Sequence, residues 1–166
     1  MVDGAAFRRG MAQFAASVTL ITSDGDAGLA GVTASSVTSV SDEPPIMLAC
    51  LNLAGRTNRT IRANGVFCIN VLAPKHQHLA VAFSGKVGSS LDERFSLATW
   101  SRLESASPVL AGCQVALDCR LVDEMIVGTH VVLFGQVVAL ALGPHAPPLL
   151  YSSRAYRRLD LWPEED

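Results

Sequence analysis

The stretch that decides the fold runs from Gly31 to Asn52 and reads GVTASSVTSVSDEPPIMLACLN. Its upstream half belongs to Leu29–Val40, a run rich in Val, Thr and Ser that predicts one long strand. Pro44-Pro45 breaks the chain, and Ile46–Leu51 is a wholly apolar run with the length of a buried strand. The expectation is a strand pair bent by two prolines. Thr33, Ala34, Ser35 and Ser36 add a chemical property to it. Small side chains let a flat ring approach the backbone closely, and hydroxyls and amides can meet its polar edge. On composition alone the same residues better suit a plain hairpin whose Thr and Ser face water.

Working outward, Ser17–Ser23 is β-branched and strand-like, and Asp24-Gly25-Asp26 after it is a hairpin signal. Before it, Phe7, Met11, Phe14 and Ala15 recur at helical spacing within residues 3–15, with Asp3 as the cap. Downstream, Arg56–Asn64 predicts a short helix closed by Asn64-Gly65, Val66–Leu72 a strand, and residues 75–83 another helix. Phe83–Arg94 is polar and glycine-bearing and predicts an exposed loop long enough to have a task. Val115–Val122 and Thr129–Leu142 predict strands, the second with Gly135 as a bulge. Pro144–Pro148 turns the chain back to Leu149-Leu150-Tyr151, and the tail 162–166 is expected to be flexible. Six to eight strands with two or three short helices make the chain mainly β. So many sheet edges favour closure into a barrel. No repeat or linker divides residues 1–166, which are expected to form one domain.

Composition narrows the function classes. Of 166 residues, 49% are hydrophobic and only 17% charged, which implies that some apolar surface goes to a partner subunit or ligand. A net charge of -2 argues against a general nucleic-acid binder. No apolar run approaches the ~20 residues of a bilayer-spanning helix, so no membrane role is expected. The N-terminus MVDGAAFRRG lacks a signal-peptide core, which points to the cytoplasm. Cys50, Cys68, Cys113 and Cys119 form no C-x-x-C pair and are expected to be free thiols, with no metal site.

The segment TASSVTSVSDEPPIMLACLN resembles the signature of the flavin reductase-like family. The resemblance extends over nearly the whole chain in order and spacing: FRxxMxxFA at 7–15, FCINVLA at 67–73, FSGK at 83–86, ERF at 93–95, GTHVVLFGQV at 128–137 and Y-x-x-R-x-Y-x-x-L at 151–159. Each motif alone is weak; together they are specific. The family implies an FMN-binding split β-barrel of Greek-key-like topology and a homodimer. It also implies NADH- or NADPH-dependent reduction of FMN (or FAD), with the reduced flavin supplied to a separate oxygenase component. Hydride would pass from nicotinamide to flavin with no protein nucleophile.

Residue by residue, the resemblance implies that Thr33, Ala34, Ser35 and Ser36 lie beside the flavin, with Cys50, Leu51 and Asn52 on the neighbouring strand. Asn52 reads equally as a strand-ending turn residue. Arg56 and Thr57 open a helix, whose free N–H groups and dipole suit a phosphate; otherwise Arg56 is a solvated cation. Phe83, Ser84, Gly85 and Lys86 form a second candidate anion loop. Arg94, next to Asp92 and Glu93, reads as holding that loop through local ion pairs. His130 follows Gly128-Thr129, where many family members carry Gly-Asp-His. It reads either as a core histidine satisfying a hydrogen bond or as the catalytic-side residue that seats the nicotinamide. His76, His78 and His145 look like surface residues. Tyr151 and Arg154 suit stacking and a phosphate, while Tyr156 and Leu159 read equally as part of a final helix. A reductase of another acceptor such as a cobalt corrinoid, and a non-catalytic flavin-binding protein, remain open alternatives.

Overall fold

The computed structural model describes residues 1–85 and 88–159, so Lys86 and the tail 162–166 lie outside the described residues. The chain opens with α1 (Gly4–Met11), started by Asp3, whose carboxylate accepts from the N–H groups of Ala5 and Ala6 at 2.8 Å. Then follow β1 (Ala16–Ser17), β2 (Thr19–Ser23), β3 (Ala30–Ala34), β4 (Val37–Asp42) and β5 (Pro45–Asn52). After α2 (Arg56–Asn64) come β6 (Val66–Val71), a 3-10 turn at Pro74–His76, α3 (Gln77–Phe83) and α4 (Leu91–Phe95). The last third is β7 (Trp100–Arg102), β8 (Pro108–Leu110), β9 (Val115–Val127), β10 (His130–Leu142), β11 (Leu149–Ser152) and β12 (Ala155–Arg158). The protein is mainly β with short helices.

Seven strands form one antiparallel sheet in the order β3-β2-β6-β9-β10-β5-β4. The expected single strand Leu29–Val40 is therefore two strands, broken at Ser35-Ser36. Its halves occupy opposite edges of the sheet, although only those two residues separate them. Such a connection is possible only if the sheet curls until its edges are neighbours. Beside the seam where the edges meet, the N–H of Cys50 donates to the carbonyl of Ser36 at 2.9 Å and extends the β4–β5 ladder by one step. The bend before β5 carries a cis peptide at Glu43-Pro44.

Consecutive residues of a strand face opposite sides, and here both sides are covered. Ile21, Phe67, Ile69, Leu133, Val131 and Leu51 pack inside the curl with Ile61 of α2. Leu20, Cys68, Leu72 and Ala116, on the other face of the same central strands, pack with Leu79 and Phe83 of α3, Val109, Leu110 and Leu149. Two covered faces explain why β2 is buried at every position, its Thr19, Thr22 and Ser23 hydroxyls donating to backbone carbonyls. Gly135 does sit at a break in the β9–β10 register, and a Cβ there would lie 2.4 Å from the Phe67 ring.

Three further expectations are corrected. The Phe83–Arg94 segment is not all loop, because Ser90 and Glu93 cap each other and start α4. Tyr156 lies in β12, paired with Tyr151 across a hairpin, and not in a final helix. His76 is buried, its Nδ1 accepting from the N–H of Ala73 at 3.2 Å, whereas His78 and His145 are exposed. Burial, with Lys75 and His78 nearby, holds His76 down to about 4.

Candidate functional site

The expected site residues fall into three groups along the seam. In the first, Thr33, Ala34 and Ser35 line a cleft of about 300 Å³ together with Val18, Val81, Ser84, Tyr151, Arg154 and Tyr156. An open groove of about 860 Å³ continues from it, sharing Ser35, Tyr151 and Arg154 and adding Ser36 and the α1 side chains Arg8, Met11 and Phe14. β3 is an edge strand and its side chains are small, so a flat ligand can reach its backbone. The Thr33 hydroxyl is tied to the carbonyl of Ala80 at 2.8 Å, which fixes α3 against this edge. Tyr151 and Tyr156 meet edge to face at 5.3 Å, and burial beside Tyr151 pushes the Tyr156 phenol up from its ordinary value. The hairpin loop next to them holds Ser153 and Arg154 at φ +51° and +60°. Two successive non-glycine residues in that region cost about 1 kcal/mol each, strain of a kind that often accompanies function.

The second group lies at the other end of β3. Arg56 and Thr57 line a cleft of about 300 Å³ with Gly31, Ser89, Ser90 and Arg94. α2 begins at Gly55 with no side-chain cap, so its first N–H groups are available to an anion. The Thr57 hydroxyl donates to the carbonyl of Gly31 at 3.2 Å, tying α2 to β3. Asn58 is buried, and its amide donates to the carbonyls of Asn52, Leu53 and Gly55 at 2.6–2.9 Å, which locks the approach to the helix. Arg94 holds its loop through Ser89, with Nε on the hydroxyl and Nη2 on the carbonyl, and not through the expected ion pairs.

The third group is on the β5–β10 ladder. Cys50 is half-buried, Asn52 is exposed, and His130 is the first residue of β10. His130 is exposed, with Nδ1 2.9 Å from the Thr129 hydroxyl, which rules out the core-histidine reading. Burial holds the Cys50 thiol above its ordinary value. Cys68, Cys113 and Cys119 are free and buried, and no cluster of metal ligands occurs among the described residues.

Two expected residues point elsewhere. Leu51 is packed inside the curl, and Phe83 is a core ring in edge contact with Phe95 at 5.1 Å. A Cβ on Gly31 would come within 2.6 Å of Phe83, so this ring sits under β3 and sets its position. Gly85 adopts φ +76°, a turn that suits glycine. Sequence reading gave Arg8, Met11, Phe14 and Val81 no place in the site. The helical spacing of α1 was legible, but not the groove it lines.

With this arrangement in view, the relatives are informative. The model of the flavin reductase like domain matches residues 11–160, and the chain belongs to that family. It is 47% identical over 158 residues to FMN reductase (NADH) RutF 1 of Methylorubrum extorquens, covering 95% of this chain and 78% of that one. Nitrilotriacetate monooxygenase component B of Mycobacterium thermoresistibile superposes with a TM-score of 0.86 at 32% identity, over 98% of this chain and 88% of that one. The NADH:FAD oxidoreductase SgcE6 of Streptomyces globisporus C-1027, solved with NAD and FAD fragments, gives 0.88 at 29% identity, over 100% and 99%.

Proposed function

We propose that the protein is an NADH-dependent flavin reductase that takes FMN (or FAD) along β3 and supplies reduced flavin to a separate oxygenase component. The observation that carries this is the clustering of Thr33–Ser36 with Tyr151 on one continuous cleft, in a chain of the flavin reductase family. The donor set fits a flavin. Ser35 and Ser36 bring hydroxyls to a backbone edge kept clear of bulky side chains, and Tyr151 brings an aromatic wall.

Bound flavin supplies a two-electron acceptor for hydride from the nicotinamide. The protein's part would be to hold the two reacting groups together and keep water out. Val18, Val81 and Tyr156 make the cleft apolar, and Ser84 stands at its edge. Arg56, Thr57 and Arg94, with the α2 N-terminus, offer a seat for the flavin phosphate. His130 and Asn52, paired across the β10–β5 ladder two residues from Cys50, would position the nicotinamide.

The curled sheet is read as a split barrel, and residues 1–166 as one domain. Met125, Ile126 and Val127 are 55–56% exposed, Phe7 and Phe14 are 62% and 66% exposed, and a monomer rarely leaves so much apolar surface open. That supports a homodimer. No described helix is long and apolar enough to cross a membrane, and a cytoplasmic address is proposed.

The test is purified protein mixed with FMN and NADH while the reduced nicotinamide is followed by absorbance. Steady NADH loss that depends on flavin is expected. No loss with FMN or FAD, from NADH or NADPH, would overturn the reading.

A further inference from the structure

The strained hairpin loop is fastened to α1, for the N–H of Ser153 donates to the carbonyl of Ala12 at 2.6 Å. This bond sets Arg154 against the C-terminal turn of α1, which carries Arg8 and Arg9. Arg8 and Arg154 line the large groove, and Arg9 and Arg154 line a hollow of about 280 Å³ beside it. Among the described residues none of these three arginines is paired with a carboxylate; the ion pairs are Arg62–Glu124, Arg102–Asp24 and Arg120–Glu104. A position that favours glycine thus holds an arginine, and that arginine completes an unneutralised cationic rim.

A second cationic seat, Arg56 with Arg94, lies at the other end of β3. From Gly31 to Ser36 the chain advances roughly 17 Å at the rise of an extended strand. One phosphate cannot occupy both ends, and FMN has only one. A reductase needs a second ligand whose phosphates must also be held.

We infer that Arg8, Arg9 and Arg154 anchor the diphosphate of the nicotinamide dinucleotide, leaving the flavin phosphate to Arg56 and Arg94. This rests on the reductase reading. Guanidinium groups meet phosphate oxygens in paired hydrogen bonds, and Arg8 and Arg154 on the groove, with Arg9 on the adjoining hollow, suit a diphosphate better than a single phosphate. The diphosphate of FAD has the same chemistry, so the test separates the two sources.

ADP-ribose, which keeps the diphosphate but lacks nicotinamide, is titrated calorimetrically into FMN-saturated protein. The wild type is compared with Arg154→Gly and with a double variant carrying Arg8→Gln and Arg9→Gln. Glycine fits the left-handed turn, so the melting temperature of Arg154→Gly is expected not to fall. ADP-ribose affinity is expected to drop about tenfold in both variants, with KM for NADH rising in parallel and FMN affinity unchanged. Absent or unchanged ADP-ribose binding would overturn the inference. So would an equal loss of FMN affinity, or a loss of FAD affinity with ADP-ribose binding intact. ADP-ribose binding requires no turnover. A wild type that binds it in this pattern yet fails to reduce flavin would keep the anchor and discard the reductase reading.

Discussion

His130 stands directly opposite Asn52 in the ladder that joins β10 to β5, so both side chains leave the sheet on the same face. Two residues along β5 from Asn52, the N–H of Cys50 bonds the carbonyl of Ser36. The histidine is thereby tied to the small-residue edge through one strand and one hydrogen bond. In His130→Ala, flavin-dependent NADH oxidation is expected to fall about tenfold or more, while flavin affinity changes little. Stopped-flow reduction and a flavin titration separate the two. Equal losses in both would take the nicotinamide role away from His130.

Arg56 offers a second test, because its cleft is assigned a phosphate and not a ring. Arg56→Gln is expected to weaken FMN about tenfold and leave riboflavin, which lacks the phosphate, unaffected. Fluorescence titration with both flavins reads this directly. Parallel weakening of both would place the arginine against the ring system or the fold.

Gly135 tests the packing inside the curl. An added Cβ would meet the Phe67 ring at 2.4 Å and the Cys119 Cβ at 2.8 Å, neither of which has free space to retreat into. Gly135→Ala is expected to cost about 1–3 kcal/mol, seen as a lower urea midpoint at an unchanged slope. An unaltered midpoint would mean that the bulge yields.

His76 makes stability depend on pH in a defined direction. Its folded value is lowered from 6.5 to about 4, so folding favours the neutral ring. Its contribution is complete above pH 6.5 and is lost as the pH falls from there towards 4, because the unfolded chain takes up the proton first. His76→Gln is expected to flatten the stability profile between pH 6.5 and 5 relative to the wild type. Identical slopes in urea melts across that window would contradict it.

Much of the fold was legible because its signals are local. Arg56–Asn64 ends at Gly65 with φ +68°, as Asn64-Gly65 implied, and Gly135 marks a register break. The break at Ser35-Ser36 was not legible. Val, Thr and Ser suit a strand on either side of it, and only the closure of the curl forces the chain to leave one edge for the other. Ser90 and Glu93 did carry a readable capping pair, but glycine and serine around them masked it. For the site, it was the family resemblance and not residue type alone that picked out Thr33–Ser36, Tyr151 and Arg154, which share a cleft. It could not reveal that Phe83 faces inward, nor that α1 brings Arg8 to the same groove. Both depend on contacts between segments distant in sequence.

The two-residue crossing at Ser35-Ser36 also bears on how the chain tolerates change in length. With β3 and β4 pinned at opposite margins, that link has no slack, and Ser36 is held by Cys50. Insertions, tags or new chain termini belong in the exposed stretch 143–147 or the β2–β3 connection, where extra residues can loop outward. A single residue added between Ser35 and Ser36 would have to be absorbed by slipping a strand or parting the seam. The shortest connection between the sheet's two margins is thus the one least free to vary, and it is the one that lines the groove.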